Sequence, residues 1–106
     1  MVESLNDGTF ASAISNGLSV VDFWAAWCGP CKMMEPILAN ASENMTSVKF
    51  YKVNIDEFPK LAASNNIMSI PTLIVFKDGK SVGNIVGAMS QEKLTQVLSE
   101  FTETSN

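Results

Sequence analysis

The sequence predicts an α/β domain in which a parallel strand–helix–strand unit is followed by an antiparallel β-hairpin and a closing helix. Apolar, β-branched segments at Leu18–Trp24 and Val48–Ile55 flank a helical repeat of apolar residues, and a connection of that length makes the two strands parallel. Later in the chain, Asp78-Gly79 is a tight-turn signal between two further strand segments. The 106 residues suffice for one core and are too few for two, so we expect a single domain over residues 1–106.

Composition and charge exclude two classes of partner. Hydrophobic residues make up 46% and charged residues 17% of the chain, and seven lysines, no arginine and eleven acids give a net charge of −4. A nucleic-acid surface needs a clustered basic face, which this sequence lacks. No apolar run reaches the ~20 residues that cross a bilayer, and Met1-Val2-Glu3-Ser4 lacks the layout of a signal peptide. We expect a cytoplasmic protein without nucleic-acid or membrane partners, although a targeting peptide removed earlier would leave no trace.

The central helix carries an apolar stripe. Met34, Leu38, Ala41 and Met45 recur at i, i+4, i+7 and i+11, which predicts one core-facing side. Pro30 suits the first helical position. Pro36 should kink the helix, since it removes the hydrogen bond to the carbonyl of Lys32. The helix is predicted to start at Cys31 and to bend one turn later.

The remaining elements follow from caps, turns and apolar spacing. In chain order they are an edge strand at Val2–Leu5, a short helix between the N-cap Asp7 and Gly17, a short helix at Phe58–Ser64, strands at Thr72–Lys77 and Ser81–Val86, a closing helix capped by Ser90, and a frayed tail at Thr102–Asn106. Helices are thus available for both faces of one mixed sheet.

Cys28 and Cys31 are the chain's two cysteines, and they are three positions apart directly after an apolar strand. One helical turn puts their Cβ atoms about 5–6 Å apart, and a disulfide prefers about 3.5–4.5 Å, so small adjustments would close and reopen the bond. The alternative is half of a zinc site. Structural zinc takes four Cys or His ligands, and with no histidine here that alternative needs a dimer sharing two pairs or unusual carboxylate ligands.

The position of the two thiols at a helix N-terminus assigns them different roles. The unpaired N–H groups and the positive dipole end favour a thiolate. Cys28, bordered by Gly29, is the better placed nucleophile, whereas Cys31 lies inside the first turn and should be more shielded. Cys28 would attack a substrate disulfide, and Cys31 would then resolve the mixed disulfide. No histidine separates the cysteines, so with Gly29-Pro30 between them we expect a net reductant.

Asp22 and Lys52 are charged residues in phase with apolar ones on their predicted strands. If Asp22 is buried, desolvation should raise its pKa, and it could take the proton of Cys31 through water while Lys52 biases its charge. The alternative is that both side chains sit at strand edges and reach water.

Trp27, Pro30 and Ile70 are apolar residues that could belong either to the core or to a recognition surface. Trp27 stands beside a cysteine expected to be exposed, which favours the surface for that residue. Pro71 opens a strand, where its missing N–H is tolerated. From sequence alone the Ile70–Pro71 bond is expected to be trans, because only about 5–6% of X–Pro bonds in folded proteins are cis.

Five sequence blocks, in this order and at these spacings, make the chain resemble the thioredoxin family of the Trp-Cys-Gly-Pro-Cys-Lys type. They are Asp22-Phe23-Trp24-Ala25-Ala26-Trp27-Cys28-Gly29-Pro30-Cys31-Lys32, Lys52-Val53-Asn54-Ile55-Asp56, Ser69-Ile70-Pro71-Thr72, Phe76-Lys77-Asp78-Gly79 and Val86-Gly87-Ala88. The resemblance implies a thioredoxin fold, with a five-stranded mixed sheet of order 1-3-2-4-5, an antiparallel fourth strand and four flanking helices. The departures are slight: arginine and histidine are missing, and Ser69 stands where many members carry glycine.

The resemblance also implies an activity and a set of roles. The activity is general protein thiol–disulfide exchange at a Cys28–Cys31 disulfide, with Cys28 attacking, Cys31 resolving, Asp22 accepting a proton and Lys52 beside it. Ile70–Pro71 would be cis and would face the dithiol. The implied docking surface comprises Trp27, Gly29, Pro30, Ile70, Pro71, Val86, Gly87 and Ala88.

The implied partners are disulfide-containing proteins and a thioredoxin reductase, which supplies electrons from NADPH through a flavin, or an equivalent ferredoxin-linked enzyme. We expect a monomer with no bound cofactor and no metal. The alternative function is that of a non-catalytic binding subunit, which uses the same apolar patch within a larger assembly.

Overall fold

The computed structural model describes residues 1–104 and arranges them as an α/β fold, with element boundaries close to the predicted ones. In chain order these elements are β1 (Val2–Ser4), α1 (Phe10–Ala13), β2 (Leu18–Trp24), α2 (Gly29–Asn44), β3 (Val48–Asn54), α3 (Pro59–Ser64), β4 (Thr72–Lys77), β5 (Lys80–Val86) and α4 (Gln91–Thr104). No helix of this part of the chain is both long enough and apolar enough to span a bilayer.

The strands form one mixed sheet in the order β1-β3-β2-β4-β5, as the resemblance implied. β3 pairs in parallel with both β1 and β2, which confirms the parallel crossover through α2. β4 runs antiparallel to β2 and β5, so the hairpin at Asp78-Gly79 is also confirmed. β2 is therefore the central strand, and its C-terminal end leads into the two cysteines.

The sheet has a hydrophobic core on each face, which explains why β2 is apolar on both sides. One core joins Val20 to side chains of α2 and α4, including Met34 and Leu94. The other joins Val21 to residues of α1 and α3 such as Phe10. Alternate residues of β2 enter opposite cores, because successive side chains of a strand point to opposite faces.

The end of β2 remote from the cysteines is fastened to the hairpin turn. The N–H of Gly17 donates to Asp78 Oδ1 at 2.7 Å, and the N–H of Asp78 donates to the carbonyl of Gly17 at 3.0 Å. Asp78 has φ = 49° and Gly79 has φ = 86°, the left-handed conformations that tight hairpin turns require. We call this pair of hydrogen bonds the Gly17–Asp78 clasp.

Two predicted details of the helices differ from the structure. α2 begins at Gly29 rather than at Cys31 and continues through Pro36, where the predicted kink stays a prediction. The cap of the first helix is not Asp7: the N-cap residue is Thr9, and Asn6 Oδ1 instead accepts the N–H groups of Gly8 and Thr9. The amide oxygen of Asn6 reaches these N–H groups by an Asx-type turn, so Asp7 has no donor left to cap.

The C-terminal helix is longer than predicted. Its cap is confirmed, since Ser90 Oγ accepts the N–H of Lys93 at 3.2 Å. The expected fraying from Thr102 is wrong up to Thr104, because α4 continues to that residue. Phe101 packs against the core of the α2 and α4 face and holds the last turn. Residues 105 and 106 of the expected tail lie outside the described residues.

Candidate active site

Cys28 and Cys31 form a disulfide at the N-terminus of α2, with Cα atoms 5.2 Å apart. β2 ends at Trp24, and a short loop brings Cys28 to the N-cap position of α2. There the Sγ of Cys28 accepts the N–H of Cys31 at 3.1 Å. Cys28 is 5% exposed and Cys31 1% exposed, so the order of shielding is as predicted. The expectation that Cys28 is exposed is wrong, because Ala25 and Ile70 pack against the two cysteines and cover both.

The helix terminus provides the electrostatics that a reactive thiolate needs. An unpaired backbone N–H at the start of a helix stabilises negative charge, and the helix dipole adds to it. In the reduced protein, the same N–H of Cys31 would lie beside the thiolate of Cys28, which lowers the cost of ionising that thiol. The arrangement can therefore open and close a disulfide with little movement of the backbone.

The Ile70–Pro71 segment lies against the disulfide. The carbonyl oxygen of Ile70 is 3.9 Å from Cys28 Sγ, and the Ile70–Pro71 peptide bond is cis. The trans bond expected from sequence alone is thus wrong, and the cis bond implied by the resemblance is confirmed. The carbonyl of Pro71 accepts the N–H of Gly87 at 2.9 Å, which holds the loop after β5 beside this segment.

The side chain of Trp27 lies on the surface, as predicted, and is 70% exposed. Its Nε1 donates a hydrogen bond of 2.9 Å to Asp56 Oδ2. Sequence reasoning assigned no role to Asp56. The signal was available, because Trp27 and Asp56 follow the carboxyl ends of the parallel neighbours β2 and β3, which meet at one edge of the sheet.

A groove of about 340 Å³ runs beside the disulfide. Its lining consists of Trp27, Ile55, Ile67, Met68, Ser69 and Ile70. Three of the predicted docking residues lie nearby at the end of β5 and just after it, where Val86 and Ala88 are exposed and Gly87 is half-buried. Pro71 is buried, so the segment contributes mainly through Ile70. The structure thus brings most of the predicted docking residues to one surface. We call it the docking surface, and it comprises the groove lining together with Gly29, Pro30, Val86, Gly87 and Ala88.

Asp22 is buried, being 3% exposed, and its Oδ1 has no hydrogen-bond partner among the described residues. Burial raises the pKa of Asp22 to about 7, opposed by the positive charge of Lys52 and assisted by the negative charge of Glu35. The strand-edge alternative is therefore wrong for Asp22.

Lys52 stands opposite Asp22 in the register of β2 and β3 but is only half-buried. Its Nζ lies 5.4 Å from the centre of the Trp24 ring. That distance is within the range of a cation–π interaction. Lys52 is therefore held above Trp24 while its charge still acts on the carboxyl of Asp22.

A second cavity, also of about 340 Å³, connects Asp22 with the surface. Its lining consists of Met1, Val2, Asp22, Glu35, Leu38, Ala39 and Lys52. The space is large enough for several waters and has polar groups to bind them. The sequence reasoning missed Glu35. Its place one turn after Cys31 on α2 was the available signal, because residues four apart lie on one side of a helix.

Residues 1–104 contain no group of three or more His, Cys, Asp or Glu side chains arranged to hold a metal ion. Each cysteine sulfur of the zinc alternative is bonded to the other in this structure.

Comparison with known proteins assigns the family. The Thioredoxin family model matches residues 1–100. Thioredoxins of Staphylococcus aureus, for example of strains Mu50 and COL, are 45% identical over 98 residues, which cover 92% of this chain and 94% of theirs. A solved structure of Plasmodium falciparum thioredoxin superposes with a TM-score of 0.89 at 38% identity and covers 94% of this chain and 99% of its own.

These relatives favour catalysis over the alternative of a non-catalytic binding subunit. Thioredoxins need no bound cofactor, and their partners are in general a reductase and disulfide-containing substrates. With a disulfide at the helix N-terminus and relatives that match over nearly its whole length, the chain belongs to the thioredoxin family and is a thiol–disulfide oxidoreductase.

Proposed function

We propose that the chain reduces disulfides of many proteins, with Cys28 as the attacking thiol and Cys31 as the resolving thiol. The observation that carries this assignment is the hydrogen bond from the N–H of Cys31 to Cys28 Sγ at the start of α2. It stabilises negative charge on the earlier sulfur, and the thiolate is the nucleophile in disulfide exchange. The greater shielding of Cys31 supports the order of the two roles.

In the first step the Cys28 thiolate attacks one sulfur of the substrate disulfide. A mixed disulfide forms, and the other substrate sulfur leaves as a thiolate. In the second step Cys31 attacks Cys28 Sγ and releases the second substrate thiol. Two electrons have then passed from the dithiol to the substrate, and the Cys28–Cys31 disulfide remains.

Asp22 would act in the second step as the acceptor of the Cys31 proton. Support comes from its burial and from its pKa of about 7, which allows the carboxyl to exchange a proton near neutral pH. The cavity beside Asp22 offers room for the water that would carry the proton. Lys52 would hold part of the population of Asp22 ionised, because its positive charge lowers that pKa.

Substrates would dock in an extended conformation across Trp27, Ile70 and the segment 86–88 at the end of β5. The backbone of Ile70, 3.9 Å from Cys28 Sγ, would pair with the substrate segment. Gly29 and Pro30 are exposed beside the disulfide and would permit close approach. Because Gly29-Pro30 supplies no histidine to stabilise the thiolate, the couple would act as a reductant.

A flavin-dependent thioredoxin reductase using NADPH, or an equivalent enzyme, would restore the dithiol. We also propose that the protein works as a monomer in the cytoplasm. A net charge of −4 and a lone close pair of cysteines are compatible with a reducing compartment. Fractionation of cells and size-exclusion chromatography test these two points.

Insulin reduction followed by turbidity tests the assignment of the cysteines. Cys31→Ser should accumulate a mixed disulfide between Cys28 and insulin, visible as a covalent complex that dithiothreitol separates. Cys28→Ser should be inactive and should form no such complex. Ser99→Ala, on α4 and outside the docking surface, is the control and should keep full activity. Full activity of Cys28→Ser, or trapping through Cys31 instead, would overturn the assignment.

A further inference from the structure

Met68 is 94% exposed, which is unusual for a large apolar side chain beside a functional site. Trp27 at 70% and Val86 at 63% are the other strongly exposed apolar residues of the docking surface. Exposed apolar residues that cluster in this way mark interaction sites more often than they mark packing defects. No bond-making or bond-breaking step proposed for the disulfide exchange involves Met68.

The backbone turn after α3 explains why Met68 points outward. Asn66 has φ = 57°, its N–H donates to the carbonyl of Ala63 at 3.1 Å, and the N–H of Ile67 donates to the carbonyl of Ala62 at 3.0 Å. These two bonds make a Schellman motif, which ends a helix through one left-handed residue. Ile67 then packs against the core, and Met68 follows on the outside of the turn.

The turn places Met68 in the lining of the groove, two residues before Ile70. A substrate held at Ile70, whose carbonyl is 3.9 Å from Cys28 Sγ, would therefore contact the thioether. Methionine is flexible and polarisable, and it adapts to partners of different shape. Such a contact suits a reductase that accepts many proteins.

We propose that Met68 is an oxidation site, and that conversion of its thioether to the sulfoxide by a hydroperoxide weakens docking of protein disulfides. The inference rests on the proposed docking surface. The sulfoxide is polar and must lose water when a substrate covers it, so an apolar contact becomes a desolvation cost. The disulfide itself stays chemically unchanged.

The oxidation step needs only exposure and a peroxide. The sulfur of Met68 attacks one peroxide oxygen, the O–O bond breaks, an S–O bond forms, and water leaves when the oxidant is hydrogen peroxide. The sulfur loses two electrons and the peroxide gains them. By contrast Met34 is 0% exposed and is protected in the core.

The disulfide form of the protein allows the experiment, because both cysteine sulfurs are bonded to each other and shielded. The wild type, Met68→Leu and the control Met33→Leu, which removes another exposed methionine, are treated with hydrogen peroxide. Catalase then removes the peroxide, and peptide mass spectrometry measures the sulfoxide at each methionine. The dithiol is regenerated with dithiothreitol, which leaves the sulfoxide in place.

Treatment should lower kcat/KM for insulin by roughly three- to tenfold in the wild type and in Met33→Leu, a factor that corresponds to losing part of one buried apolar contact. In Met68→Leu the treatment should leave kcat/KM for insulin unchanged from the value of the same variant before treatment. Reduction of Ellman's reagent, a small disulfide that does not fill the groove, should not change in any variant. Untreated Met68→Gln should resemble the oxidised wild type, and methionine sulfoxide reductase should restore the treated wild type.

Three outcomes would overturn the inference: Met68 resists peroxide, the oxidised wild type keeps its insulin rate, or Met68→Leu loses as much as the wild type. Val86→Asp separates these from failure of the docking proposal, because Val86 is exposed at the end of β5 and outside the groove. If Val86→Asp slows insulin reduction but oxidation of Met68 does not, the docking surface stands and the inference about Met68 falls. If neither change slows it, the docking surface is wrong as well.

Discussion

Asp22 shows how a single residue makes stability depend on pH. Its pKa is raised from 3.8 to about 7 by burial, so the folded chain holds a proton that the unfolded chain has lost between these values. The contribution of Asp22 to stability is therefore fully present below about pH 4, and it declines as pH rises to about 7. Above that pH the folded protein bears the whole cost of an ionised carboxyl in the core, on the order of 4 kcal/mol.

Replacing Asp22 by Asn should therefore stabilise the protein at high pH. We expect the free energy of unfolding at pH 8.5 to rise by about 2–4 kcal/mol, because an amide has no charge to desolvate. At pH 4 the gain should largely vanish. Urea unfolding at both pH values measures it, and an equal gain at the two would contradict ionisation as its cause.

Glu35 should tune Asp22 across the cavity that they share. Its negative charge raises the pKa of Asp22, so Glu35→Gln should move the titration of the Asp22 carboxyl to lower pH. Carboxyl ¹³C NMR follows that titration directly. Glu43→Gln is the matched control, since Glu43 is exposed on the same helix and does not line the cavity. A shift of equal size in the control would show a general charge effect instead.

At the residue scale, the predictions from sequence were correct where a feature depends only on residues that are close along the chain. Strand phase correctly placed Asp22 among apolar residues, and the spacing of Cys28 and Cys31 predicted a closable pair. The hydrogen bond between Trp27 and Asp56 and the place of Glu35 in the cavity depend on how separate elements meet. The sequence carried a signal for the position of each residue, but the contact itself follows only from how the elements pack. The cis bond before Pro71 was available only from the family resemblance, because local preference favours trans.

At the scale of elements, helix α4 packs closely on strand β5 at Gly83. A β-carbon built at Gly83 would overlap the ring of Phe101 on α4, which itself packs against the core. The absence of a side chain at this position therefore lets the last turns of the helix approach the sheet.

Gly83→Ala should force that helix and strand apart. We expect a loss of about 1–3 kcal/mol in the free energy of unfolding, the usual cost of overpacking a core contact. Gly29→Ala is the control for stability, because its added methyl meets nothing within 4 Å. Chemical denaturation followed by circular dichroism compares the two, and equal stabilities would mean that Phe101 moves aside without cost.

The ends of helices could be predicted from the sequence where the capping residue lies within a few positions of the N–H group that it caps. Ser90 was found because a serine three residues ahead of a helical N–H is a short-range signal. Asp7 failed as a cap, since Asn6 competes for the same donors one residue earlier. The end of α4 was underestimated because Phe101 is held by tertiary packing.

At the scale of the whole molecule, the fold should survive loss of its disulfide. The bond closes a loop between residues three apart, which constrains the unfolded chain very little. In the chain-entropy picture, such a loop contributes about 2 kcal/mol. The core on each face of the sheet must therefore hold the reduced protein together.

Reduction with dithiothreitol should thus leave a cooperative unfolding transition, lowered by about 2 kcal/mol. Guanidinium titrations of the oxidised and reduced forms give the difference. A reduced form that has lost its cooperative transition would contradict the claim, since an electron carrier must stay folded in both states.

The topology of the sheet was predicted partly from the residues themselves and partly from the family resemblance. The parallel crossover through α2 and the final hairpin followed from connection lengths and turn chemistry. The edge position of β1 was predicted from the residues, but its pairing with β3 followed from the resemblance alone. Chain pattern does not state which strands become neighbours, because many arrangements would bury the same apolar faces.

The Gly17–Asp78 clasp lies at the opposite end of β2 from Cys28. A bead, electrode or dye attached at this pole, for example through the exposed Lys80, would leave incoming proteins free to reach the sulfurs. A chain attached at this pole alone would present its two sulfurs on the side facing away from the support.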